Sequence, residues 1–232
     1  MWRYMDLARF VSLLNTSSMF FAQAGLMADR WEGSLGISGI PMSDENRRRN
    51  LEASRKTTYL SCWHASEYES VAMWDIYQRE GRGIAIRTTW AALTGSINSP
   101  WPITGGFVSY VDPRYHLAGL PDRYAPFMLK RKSFEHEREA RLILWGNAEG
   151  GPDERRGRVE SIEGDVFYND QSTARPGYSV PVDVRQLIDW VYVPPDSPIW
   201  IEETVTAMIG RYGYEFPVVK SNLYSDPLEQ PF

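Results

Sequence analysis

The chain has 232 residues, 43% of them hydrophobic and 13% aromatic with nine tryptophans, which suits a folded globule with a real core and excludes a disordered chain. Its net charge of −5 leaves no global basic field for nucleic acid, and its single cysteine, Cys62, excludes an intrachain disulfide framework and a cysteine-rich zinc site. No apolar stretch reaches the length of a membrane span and residues 1–6 lack the apolar core of a signal peptide, so the expectation is a cytoplasmic protein with no membrane partner.

Residues 2–5 are short, aromatic and apolar and predict an opening strand. Asp6 can cap the helix that follows, where Leu7, Phe10, Val11 and Leu14 recur at helical spacing. Residues 15–18 read as a turn and 19–24 as a second strand. The glycine-rich residues 29–41 predict a loop, after which Ser43 or Asp44 caps a polar, arginine-rich helix to about residue 56. A strand over 58–63 leads through His64, Ala65 and Ser66 into a helix over about 68–79. Gly81 and Gly83 end that helix and launch a strand over 84–87. A strand at 106–111, a helix over 124–130 and a charged segment running into the apolar Leu142-Ile143-Leu144-Trp145 come next. Residues 148–158 are polar and glycine-rich, an exposed loop or hairpin insertion. The rest reads as strand 178–182, short helix 184–188, strand 190–193 broken by Pro194 and Pro195, helix 199–212 and strand 218–223. With no repeat and no low-complexity linker, the sequence predicts a single α+β domain over residues 1–232.

Several chemistries are excluded by their missing patterns. There is no GxxxxGK[ST] phosphate loop, no dinucleotide GxGxxG after a strand and no GxSxG elbow. The histidines, His64, His116 and His136, lack metal-ligand spacing, so no metal is expected.

The richest segment is Lys132-Ser133-Phe134-Glu135-His136-Glu137-Arg138-Glu139-Ala140-Arg141. If it forms a strand, Glu137, Glu139 and Arg141 share a face. Two carboxylates and a guanidinium entering a buried strand are costly to desolvate unless they pair or meet a ligand. That pattern fits a site, and it equally fits a solvated Glu/Arg ladder. A second segment runs from Ser61, Cys62, Trp63 and His64 to Trp74 and Tyr77, the last two sharing a helical face. They read as core, or as aromatics that stack a base or a nicotinamide. In Asp29-Arg30-Trp31-Glu32-Gly33 the two acids orient a turn or reach a ligand hydroxyl. Arg3, between Trp2 and Tyr4, must find an anion or a solvent path.

These blocks together resemble the bacterial domain-of-unknown-function 2971 family along nearly the whole chain. The resemblance rests on Trp2-Arg3-Tyr4 with Met19-Phe20-Phe21, on Asp29-Arg30-Trp31-Glu32-Gly33, on Ser61-Cys62-Trp63-His64 through Met73-Trp74, Tyr77 and Gly83-Ile84-Ala85-Ile86, and on Lys132 with Glu137-x-Glu139-x-Arg141. The family commonly has His on the helix where this chain reads Asp75-Ile76, and often Phe at Trp63. The order of parts is also similar to that of ADP-ribosyltransferases, with Arg3 on a first strand, Ser61 or Tyr77 in the middle and an ExE pair late. That second resemblance implies a mixed, split β-core flanked by helices, with NAD as co-substrate. It implies a toxin or defence effector that cleaves the nicotinamide–ribose bond by ADP-ribosyl transfer to a macromolecular acceptor or by hydrolysis.

In such an enzyme Glu139 is catalytic and Glu137 assists. Arg3, Ser61, Trp63, His64, Trp74, Tyr77 and Arg141 would line the NAD site, with Asp29, Glu32 and Lys132 toward the substrate or in a loop. The alternative is a non-catalytic nucleotide- or protein-binding module in which Glu137, Glu139 and Arg141 form an ion network with Arg3 or Lys132. A nucleic-acid-processing enzyme would use the basic segments 47–56 and 130–132, against the acidic overall balance.

Overall fold

The computed structural model describes residues 1–34, 43–77, 83–112, 114, 124–146, 151–152, 159–162, 165–168 and 175–226. β1 (Trp2–Asp6) runs one residue past the predicted strand, and Asp6 caps α1 (Leu7–Thr16) by accepting the Arg9 backbone N–H at 2.8 Å. The helix absorbs two residues of the expected turn and stops where Ser17 turns left-handed at φ 45°. β2 (Ser18–Gln23) and a 3-10 turn (Ala24–Leu26) lead to a turn at residues 29–34, the described part of the expected loop 29–41. Ser43 caps α2 (Asp44–Thr57), and β3 (Thr58–His64), α3 (Val71–Tyr77) and β4 (Gly83–Arg87) follow.

α3 starts later than predicted because the preceding residues are tied down as loop. The Trp2 indole N–H donates to the Ser66 carbonyl at 3.1 Å, and the Ser70 N–H donates to the Tyr4 hydroxyl at 2.9 Å. Gly81 lies outside the described residues. α4 (Trp90–Gly95), capped by Thr89, is an addition to the predicted elements. The strand expected over 106–111 is two strands, β5 (Ile103–Phe107) and β6 (Ser109–Val111), parted at Val108.

Two corrections bear on the site. The helix expected over 124–130 is a 3-10 turn (Ala125–Met128) followed by β7 (Leu129–Arg131), which β6 draws into a parallel pair. Long-range pairing has overridden a short helical pattern that is too brief to hold by itself. Glu137 is not on the strand with Glu139: it ends a further 3-10 turn (Lys132–Glu137), and Arg138 at φ 40° breaks the alternation before β8 (Glu139–Trp145).

β9 (Val159–Ile162) and β10 (Asp165–Tyr168) pair antiparallel and are additions to the predicted elements. The insertion expected at 148–158 lies outside the described residues apart from 151–152. β11 (Gly177–Pro181), α5 (Val184–Leu187), β12 (Trp190–Val193), α6 (Ile199–Arg211) and β13 (Val218–Lys220) keep the predicted order.

The architecture is mixed α and β, with a mixed sheet flanked by helices. By its internal contacts the chain divides into two compact units interleaved in sequence. The first takes Met1–Met19, Trp63–Asn98 and the stretch from Val180 onward. There β4 lies between β1 and β12, antiparallel to both, and β13 adds in parallel beyond β12. α1 and α3 pack on β1, and the core gathers Trp2, Tyr4, Met73, Trp74 and Ala85.

The second unit takes Phe20–Cys62 and Ser99–Ser179. β8 pairs with β5 in antiparallel register, Gly106 opposite Arg141 and Phe107 opposite Ala140, and also pairs with β3, which carries β2. Its core gathers Ala24, Leu60, Phe127, Ile143 and Trp145.

Among the described residues no helix is long and apolar enough to cross a membrane.

Candidate functional site

Every residue of β8 is buried, including its two charged members. Glu139 opens the strand, its backbone N–H donating to the Tyr110 hydroxyl at 2.7 Å and its carbonyl accepting the Val108 N–H at 2.9 Å. Arg141, two residues on, projects on the same face, as strand alternation requires. Its Nη2 donates to Glu139 Oε2 at 2.7 Å and to Glu32 Oε2 at 3.1 Å. Its Nη1 donates to Glu32 Oε1 and, at 2.5 Å, to the Phe127 carbonyl. The fork thus grips Glu32 with both terminal nitrogens, while Nε finds no partner among the described residues.

Lys130 completes the array from β7, donating to Glu137 Oε2 at 2.5 Å and Glu139 Oε2 at 3.1 Å. Exposure decides what this array can reach: Arg141 is 1% exposed, Glu32 3% and Glu139 6%, whereas the Glu137 side chain keeps 23% of its surface.

Three carboxylates face two cations, so the array carries one surplus negative charge. Burial works to raise the Glu139 carboxyl, but Arg141 and Lys130 on one oxygen outweigh it and hold the group down at about 2. Glu32 goes the other way: burial pushes its carboxyl up and the shared Arg141 only partly opposes it. Burial also works to lower the Lys130 ammonium, and Glu139 and Glu137 overcome that to keep it firmly charged. The Cys62 thiol is pushed well up by burial and by the Glu139 carboxylate, to which it hydrogen-bonds. It is therefore a neutral donor at ordinary pH and a poor nucleophile.

A second ion pair lies on the neighbouring turn, where Arg131 Nη2 donates to Asp29 Oδ1 at 2.7 Å. Lys132, the lysine singled out from the sequence, is exposed, and Lys130 stands in the array instead. The alternation in Leu129-Lys130-Arg131, with its middle residue buried, is the signal that would have found it. Ser61 is fully buried on β3.

The remaining candidates belong to the first unit and lie on two faces of its strands, His64, Trp74 and Tyr77 around Tyr4 and Arg3 with Trp63 on the other face. The Arg3 guanidinium lies over the Trp63 ring, 5.3 Å from its centroid. His64 and Trp74 meet Tyr4 edge-on at 6.3 and 5.1 Å, and the Trp74 indole N–H donates to Glu69 Oε2 at 2.9 Å. Tyr77 stacks on Tyr4 at 6.5 Å. Trp63, Trp74 and His64 are buried, and among these aromatics Tyr77 is the one classed as exposed.

Of the twelve candidates seven lie in the second unit, where Ser61 and Lys132 stand outside the array, and five in the first. Glu32, Glu137, Glu139 and Arg141 converge, with Asp29 on the adjoining turn. Among the described residues no group of three or more His, Cys, Asp or Glu is placed to hold a metal ion. No protein-family model, curated protein or solved structure matches the chain.

Proposed function

We propose that the chain is a non-catalytic binding module for a nucleotide or a protein, and that Glu32, Arg141, Glu139, Lys130 and Glu137 are its structural ion network. The observation that carries this reading is the state of Glu139. Its carboxylate is 6% exposed, and one oxygen accepts from both Lys130 and Arg141. A carboxylate that takes the ribose 2′-hydroxyl proton, or faces an oxocarbenium ion, has to present a lone pair to the substrate. A group held at about 2 is also a weak base. The network instead joins β7, β8, the turn at Glu32 and the 3-10 turn ending in Glu137, which is what a structural clamp does.

The test is nicotinamide release from NAD by the purified chain, with Glu139→Gln as control and folding verified by thermal melting. The expected result is no release from either protein. Release by the parent that vanishes in a folded Glu139→Gln or Glu137→Gln variant would overturn the reading, as would release that persists in both.

A second reading, an NAD-consuming ADP-ribosyltransferase or NAD glycohydrolase of the cytoplasm acting in defence, has one specific observation in its favour. Glu137 keeps 23% of its side-chain surface beside Lys130. In that reading Glu137 meets the substrate and Glu139 acts through Lys130 as a positioning residue, so Glu137→Gln would abolish release. The resemblances to the domain-of-unknown-function 2971 family and to ADP-ribosyltransferases belong with this second reading.

A further inference from the structure

Trp31 stands in the turn at residues 29–34 with 46% of its surface open to solvent. The turn that presents it is held by several hydrogen bonds. Arg55 donates to the Glu32 carbonyl at 2.7 Å and also to the Arg30 carbonyl. The Trp31 carbonyl accepts the Ser34 N–H at 3.0 Å and its hydroxyl at 2.7 Å, and the Trp31 N–H donates to Asp29 Oδ1 at 3.0 Å. Ordering entropy that a ligand would otherwise have to supply has been lost already on folding.

The ring is backed as well as held. The Arg131 guanidinium lies 5.4 Å from the Trp31 centroid and 5.2 Å from that of Phe134. Asp29, with a side chain only 4% exposed, locks that guanidinium through Oδ1 at 2.7 Å. A cation fixed against an indole face draws electron density toward itself. A second cation is then disfavoured on the ring, and an electron-rich planar ring is favoured. Two exposed cations adjoin the stack in sequence, Arg30 next to Trp31 and Lys132 next to Arg131; the exposed Glu135 lies on the same 3-10 turn, and the Asp112 carboxylate lies in the field of Lys132.

We propose that Trp31 is a stacking platform for the base of a nucleotide whose phosphates are taken by Arg30 and Lys132. This rests on the binding-module reading and names its ligand class.

The experiment is calorimetric titration of ADP into the full chain and into Trp31→Ala, Trp31→Phe and the double variant Arg30→Ala/Lys132→Ala, with adenosine as a parallel probe. ADP binds the parent, and Trp31→Ala, verified as folded by a cooperative melt, weakens it about tenfold or more, the loss expected for a stacked base. Trp31→Phe retains most of the affinity. The double variant weakens ADP and leaves adenosine unchanged. ADP affinity equal in parent and folded Trp31→Ala would overturn the proposal, as would no ADP binding to the parent. Trp31-dependent binding of an aromatic peptide without ADP binding would overturn it too. Nicotinamide release from NAD bears only on the non-catalytic reading, so the two failures are distinguishable.

Discussion

Replacing Glu139 with Gln keeps the shape of the side chain and deletes the charge on which Lys130 and Arg141 converge. The folded carboxyl sits at about 2 against an ordinary 4.5, and that difference corresponds to roughly 3 kcal/mol of stability at neutral pH. A depressed folded value makes this contribution complete above pH 4.5 and removes it as pH falls toward 2. Glu32 titrates with the opposite sign, since a raised carboxyl is relieved by protonation, and it also gains when Glu139 loses its charge. The figure of roughly 3 kcal/mol is therefore a ceiling for the variant. Urea unfolding followed by circular dichroism at pH 7, 5, 4 and 3 measures it. The parent should exceed Glu139→Gln by about 2–3 kcal/mol at pH 7, and the gap should narrow steadily below pH 4.5. A gap that stays constant from pH 7 to 3, or that is absent at pH 7, refutes the reasoning.

Arg141→Met strands Glu32 and leaves the Phe127 carbonyl without that donor, so it should cost about 3–5 kcal/mol and lower the melting temperature by roughly 6–20 °C, read by scanning calorimetry. Gly33→Ala combines a left-handed backbone at φ 71° with a Cβ that would lie 2.4 Å from Phe127 Cε1. It should cost roughly 2–5 kcal/mol, and an unchanged melting curve would contradict the packing described for the turn.

The parts of this fold that were legible from sequence are those governed by neighbours in the chain. Asp6 and Ser43 read as helix caps because a short acceptor side chain before a helical pattern does that work locally. Glu139 and Arg141 read as sharing a face because alternation is a property of one strand. Glu137 was misplaced because nothing in Glu-Arg-Glu announces that Arg138 will adopt φ 40°. Lys130 was read only as part of the basic segment 130–132 because its surroundings look helical until β6 claims the segment as a parallel partner. Glu32 reaches Arg141 across 109 positions, and only the tertiary register of the turn and β8 brings them together. Arg3 illustrates the same limit, since its stacking on Trp63 depends on β1 meeting the end of β3 at Trp2 and His64.

The interleaving of the two units sets an order of birth. A ribosome has synthesised every segment of the second unit by Ser179, while the first unit still lacks its third segment. β4, with Ile84, Ala85 and Ile86 each at 1% exposure or less in the finished protein, can take β1 early, but it waits about a hundred residues of synthesis for β12. Its outer ladder of N–H and C=O groups stays open for that interval, a template for any stray strand. The unit that contributes the first residues is thus the last to close, and a chain cut after Ser179 would keep every segment of the second unit while exposing that sticky edge.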